Sequence, residues 1–185
     1  MHHLIFEGAE LTGKSSTIHG VWDFLEQKYN SGSGIMDGCV WFNADVGIFG
    51  TPDGPGLIGS YLNAIRKLAH KNIILEKFHL TDLVYSAGAH ARAFARAERV
   101  LRDLDFKIIL TEGADDAELF ARRLCERIGS MQSYARVARS PQEYVRMQGV
   151  YRSYLRKSSL PHLVVDNTIL PNENHARILK WLGEQ

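Results

Sequence analysis

The chain has 185 residues, 45% of them hydrophobic and 23% charged, with 22 Lys and Arg against 21 Asp and Glu. That length suits one domain with its own core, and the balance is too apolar for disorder and too neutral for a chain that coats nucleic acid. The longest uncharged stretch, residues 54–65, holds three Gly, a Pro and an Asn, against about 20 apolar residues for a bilayer crossing, so no membrane span is expected. Cys39 and Cys125 lie far apart without metal-ligand spacing, and Met1-His2-His3-Leu4 does not open a secretory signal. A reduced, cytoplasmic setting is expected.

Five short apolar runs read as strands: His3–Glu7, Cys39–Asn43, Asn72–Glu76, Phe106–Thr111 and His162–Asp166. Each is nearly all apolar and ends on a polar residue, which suits parallel strands covered on both faces. Between the first two, Ile18, Val21, Trp22, Leu25 and Tyr29 form one stripe on a helix from about Lys14 to Lys28. Leu57, Tyr61, Leu62, Ile65 and Leu68 repeat the pattern. Further helices are expected at about Thr81–Leu101, Ala117–Arg127, Pro141–Arg156 and Asn174–Leu182, with loops at residues 30–34 and 50–56. Alternating strands and helices predict an α/β domain with a parallel sheet.

The first strand runs into Gly8-Ala9-Glu10-Leu11-Thr12-Gly13-Lys14-Ser15, followed by Ser16, which fits G-x-x-x-x-G-K-[ST] without a gap. Strand before and helix after are the context in which such a loop turns its backbone N–H groups onto phosphate oxygens. Lys14 is then expected on the β and γ phosphates and the Ser15 hydroxyl on Mg²⁺. Glu76 ends the third strand, at the sheet edge where open α/β sheets bind ligands, and an acid there can hold the metal shell or accept a proton.

Phe6-Glu7-Gly8-Ala9-Glu10-Leu11-Thr12-Gly13-Lys14-Ser15 resembles the opening of thymidylate kinases, and Ile73–Tyr85 resembles the acid-Arg-aromatic segment of the same thymidylate and deoxynucleoside kinase group. The resemblance implies a P-loop three-layer sandwich: a five-stranded parallel sheet in the order 2-3-1-4-5 with helices on both faces. It implies one domain over residues 1–185 with a mobile lid at about 128–141, ATP and Mg²⁺ as cofactors, and a nucleotide or nucleoside as phosphoryl acceptor. By the same resemblance Glu10 would face the acceptor sugar, Phe78 and Tyr85 would line its base pocket, and a homodimer is common. Lys77 stands where the family usually has Arg, and no Arg occurs in Gly50–Gly56. Lys lacks the bidentate fork, so its grip on an acceptor phosphate is differently shaped.

Residues 122–157 carry nine basic residues against two acids, leaving thirteen basic and nineteen acidic residues elsewhere. Arg122 or Arg123 on the fifth helix region, and Arg136 and Arg139 in the lid, are candidates for stabilising a moving phosphoryl group. Arg92 could point at an acceptor phosphate. Three other readings compete. A nucleotide switch would use Asp53-Gly54-Pro55-Gly56 as D-x-x-G, yet no Asn-Lys-x-Asp element occurs. A kinase of another small hydroxyl acceptor with Glu76 as base, or a binding protein that keeps the loop without turnover, also fits the residues.

Overall fold

Strands apolar on both faces decide the layers of this computed structural model, which describes residues 1–44, 46–168 and 171–184. Strands β1 (His3–Glu7), β2 (Cys39–Asn43), β3 (Asn72–Glu76), β4 (Phe106–Glu112) and β5 (His162–Asp166) form one sheet in the order β2-β3-β1-β4-β5. All four pairings are parallel, with Ile5 opposite Leu75 and Ile108. Successive side chains on a strand face opposite ways. Leu4, Phe6, Ile74 and Ile109 therefore enter one core with helix α1 (Lys14–Tyr29) and helix α7 (Pro171–Trp181). Ile5, Ile73, Leu75, Ile108 and Leu110 enter the other, under α2 (Gly54–Lys67), α3 (His79–Tyr85), α4 (Ala91–Asp103) and α6 (Pro141–Leu155). Helix α5 (Ala117–Ser130) packs on α6, stacking Phe120 on Tyr144 at 5.9 Å. This is the three-layer α/β arrangement and strand order expected from the sequence.

Element ends shift by one to three residues at β4, α5 and α7, and two departures from the sequence reading are larger. The helix expected over Thr81–Leu101 is two helices, because the chain turns left-handed at Ala87 (φ 50°) and Gly88 (φ 88°) and the Gly88 N–H closes back on Leu83 O at 2.9 Å. Buried Asp82 holds that corner by accepting from Gly50 N–H (2.8 Å) and lying 2.9 Å from His90 Nδ1. Residues 50–56, expected as loop throughout, begin α2 at Gly54, since Pro55 in the first turn lacks only an N–H that a helix start leaves unused.

After α5 the chain makes a short 3₁₀ turn, Gln132–Arg136, before α6 starts at a capping box in which Ser140 and Glu143 satisfy each other's backbone N–H groups. Among the described residues no helix is long and apolar enough to cross a membrane.

Candidate active site

The carboxyl ends of β1, β3, β4 and β5 converge on the loop between β1 and α1. Gly8 opens that loop at φ +135°, and a Cβ there would stand 2.3 Å from Thr111 O, so only glycine admits the close approach of β4. Thr12, fully buried, closes the loop on itself by donating to Ala9 O at 2.8 Å, and lies 2.9 Å from Thr111 Oγ1. Asn167, just after β5, donates from Nδ2 to Thr12 O at 2.7 Å and accepts at Oδ1 from Asn174 at 2.6 Å. Arg123 on α5 donates to Leu11 O at 2.9 Å and to Asn167 O, tying loop, helix and last strand together. Burial lowers the Arg123 guanidinium from its usual range, against the pull of Glu126 and Asp166.

Lys14 folds back so that Nζ donates to Gly8 O (2.8 Å) and Ala9 O (2.7 Å). Burial and then the charge of Lys77 lower its ammonium to about 7, against the pull of Glu76, Glu7 and Glu10. Ser15 Oγ donates to Glu76 Oε1 at 2.7 Å. A serine hydroxyl and a carboxylate side by side, next to a loop of N–H groups, form a hard oxygen pair that fits Mg²⁺ beside bound phosphates.

The buried Glu7 explains why an acid precedes Gly8. It accepts from Phe78 N–H (3.0 Å), Leu80 N–H (3.1 Å), Thr81 N–H (3.4 Å) and Thr81 Oγ1 (2.5 Å), capping the start of α3. Burial raises its carboxyl, while nearby His79 and these donors draw it down. One side chain thus locks the root of the phosphate loop to the segment that carries Glu76 and Lys77.

A cavity of about 390 Å³ collects Glu10, Leu11, Thr12, Gly13, Lys14, Ser15, Ser16, Glu76 and Lys77 from the expected residues, and adds Asn43, Arg127 and Tyr134. Lys77, at φ 54°, stands 3.6 Å from Glu10. The Tyr134 hydroxyl, from the 3₁₀ turn, donates to the other Glu10 oxygen and lies 3.3 Å from Tyr144 Oη, while the Arg127 guanidinium sits 5.5 Å over the Tyr134 ring. Burial and the Glu10 contact raise the Tyr134 phenol, keeping it a donor.

Other expected residues lie elsewhere. Phe78 is fully buried against Phe49 and Tyr61 rather than on a pocket wall, and Tyr85 is half-buried against the same core. Arg92 is exposed on α4, and Arg122 is exposed while its neighbour Arg123 turns inward. The side chains of Arg136 and Arg139 are exposed, and the Arg139 backbone N–H donates to Tyr144 Oη at 3.0 Å. Tyr134 had a signal in the sequence, as the one aromatic in a small, polar segment. Asn167 had only its place after the last strand.

No protein-family model matches the sequence, and comparison with curated proteins gives no match. Solved structures do match. The YorR protein of Bacillus subtilis, in complex with phosphorylated GDP, superposes with a TM-score of 0.65 at 16% identity, over 98% of this chain and 95% of that one. Thymidylate kinase of Ehrlichia chaffeensis gives 0.59 at 12% identity over 98% of both chains. Deoxyadenosine kinase of M. mycoides, with dCMP and dCDP bound, gives 0.56 at 13% identity over 98% of both. At such identities the likeness is one of architecture, and it agrees with the strand order and the loop geometry: the chain has the P-loop kinase fold.

Proposed function

We propose that this protein is a Mg²⁺-dependent kinase that transfers the γ-phosphoryl group of ATP to a nucleoside or nucleotide. The observation that carries this reading is the shared cavity: Lys14 and the Ser15–Glu76 pair on one side, and Glu10 with Lys77 and Tyr134 in the same space. Lys14 leaves the Gly8 and Ala9 carbonyls for the β and γ phosphates, which then receive the loop N–H groups that Thr12, Asn167 and Arg123 hold in place. Ser15 and Glu76 would hold Mg²⁺, which when bound neutralises phosphate charge. Residues 128–141 act as the lid. Its exposed Arg136 and Arg139 are candidates to reach the transferring group on closure, and Arg127 already lines the cavity. Nucleotide and nucleoside kinases among the structural neighbours support the class of acceptor.

Within that class the acceptor side favours a hydroxyl over a phosphate. A phosphate acceptor calls for a cation cluster, preferably of bidentate guanidinium groups. Here the Lys77 ammonium stands beside the Glu10 carboxylate, the one guanidinium among the described residues lining the cavity, Arg127, lies over the Tyr134 ring, and Arg92 lies out on α4. Glu10 is then the carboxylate that meets the acceptor hydroxyl. The test is an ADP-release screen over nucleosides, nucleoside monophosphates and sugars, with Glu76→Gln as control. Turnover with nucleosides is expected. Turnover confined to monophosphates overturns the hydroxyl reading, and no ATP turnover with any acceptor overturns the kinase.

A further inference from the structure

A second cavity, of about 440 Å³, lies away from the phosphate loop, between α4 and the end of α6. Its size is within the roughly 300–1,000 Å³ of small-molecule sites. The floor is apolar: Leu83 from α3 with Ala91, Phe94 and Ala95 from α4. Gly88 keeps the wall open, because a Cβ there would stand 2.7 Å from Tyr154 Oη. The rim is cationic. Arg99 and Arg102, at helical spacing on α4, face Lys157, whose ammonium is held 4.4 Å over the Tyr154 ring. The guanidinium groups of Arg99 and Arg102 make no ion pair or hydrogen bond among the described residues.

The single acid in the wall is turned away. Glu98 is 4% exposed, and its oxygens are taken up by His79 Nε2 (2.8 Å), Ser158 Oγ (2.7 Å), Ser159 N–H (2.8 Å) and Ser159 Oγ (2.9 Å). On the other side of the same helix, against α2, a groove of about 410 Å³ is lined by Leu62 and Val100 together with Ser60, Asn63, Arg66 and Arg96, so the aromatic floor at Phe94 and Tyr154 is what sets the α4–α6 side apart.

We propose that the α4–α6 groove is a second ligand site, for a small free amphipathic anion whose apolar body lies on Phe94 and the two alanines and whose acidic group meets Arg99, Arg102 and Lys157. Burial of the apolar body supplies the driving force, and the cations select charge. This inference does not depend on the kinase reading.

The test uses the full chain and two fluorescent probes of like shape, anilinonaphthalene sulfonate and the neutral N-phenyl-1-naphthylamine. Saturable one-to-one binding of the sulfonate is expected, tighter than that of the neutral probe by about tenfold. Arg99→Glu with Arg102→Glu should remove that preference, and Ala95→Trp, at an exposed helix position, should abolish binding of both probes while near-ultraviolet circular dichroism stays native. Lys14→Ala and excess MgATP should leave binding unchanged. Equal affinity for the two probes, insensitivity to these substitutions in a folded variant, displacement by MgATP, or no saturable binding each overturns the proposal.

Discussion

The two walls of the phosphate cavity are built differently. On the donor side most fastenings are short and involve backbone: Thr12 donates to Ala9 O, Asn167 to Thr12 O and Arg123 to Leu11 O, and Glu7 accepts from the N–H groups opening α3. Most of these groups are buried, so the loop holds its phosphate-binding shape before any ligand arrives. The acceptor side is held by side chains alone. Tyr134 reaches Glu10 from a 3₁₀ turn with no buried residue, and Lys77 completes the group at 3.6 Å. A rigid donor half and a strapped acceptor half suit the proposed phosphoryl transfer, in which the acceptor must enter before water is excluded.

That contrast can be broken at several points. Lys14→Ala is the largest change: ADP release in the acceptor screen should fall by about 10²-fold or more, since a charge aimed at the transferring phosphates is lost. Next, Asn167→Ala and Arg123→Ala should each destabilise the fold by about 1–3 kcal/mol by leaving buried loop carbonyls without donors. Thermal unfolding should show it as a drop of roughly 2–4 °C per kcal/mol. Arg122→Ala, one residue away and exposed, should leave the melting point where it is; an equal drop for both arginines would refute the claim that α5 is keyed to the loop through Arg123.

Lys14 also makes a pH prediction. Its ammonium is lowered to about 7, so at roughly pH 8.5 it is mostly neutral, and bound polyphosphate restores the charge. MgATP binding at that pH should take up close to one proton, read by calorimetry in buffers of different ionisation enthalpy, and the uptake should vanish near pH 5.5 and in Lys14→Met. Between about 7 and the ordinary lysine range the unfolded chain holds the extra proton, so the empty protein gains stability as pH rises through that window. The smallest effect belongs to the acceptor strap. Tyr134→Phe removes the hydroxyl that meets Glu10 and Tyr144 and leaves the ring in place, and the acceptor KM should rise by about three- to tenfold with the ATP KM unchanged. If the ATP KM moves instead, Tyr134 serves the donor wall.

The donor wall was largely legible along the chain, because its chemistry is local. Gly8 to Ser15 are consecutive, and a glycine, a lysine and a hydroxyl at fixed spacing between a strand and a helix leave little choice of geometry. Glu76 could be placed because a strand end in a parallel sheet is a predictable edge. What could not be read were contacts across long separations. Tyr134 meets Glu10 over 124 positions and Asn167 meets Thr12 over 155, and neither spacing carries a period. The choice between Arg122 and Arg123 was also hidden, since neighbours on a helix differ by about 100° of rotation and only the packing of α5 decides which faces inward.

The sequence by itself determined the alternation of strands and helices, the parallel sheet and the place of the glycine-lysine-serine loop between β1 and α1, because these follow from short-range pattern, while the layers and strand order came with the family resemblance. The tertiary structure decided which residues share the cavity. It sent Phe78 into the core and split one expected helix at Gly88, since burial and a left-handed turn depend on partners that stand far away in the chain.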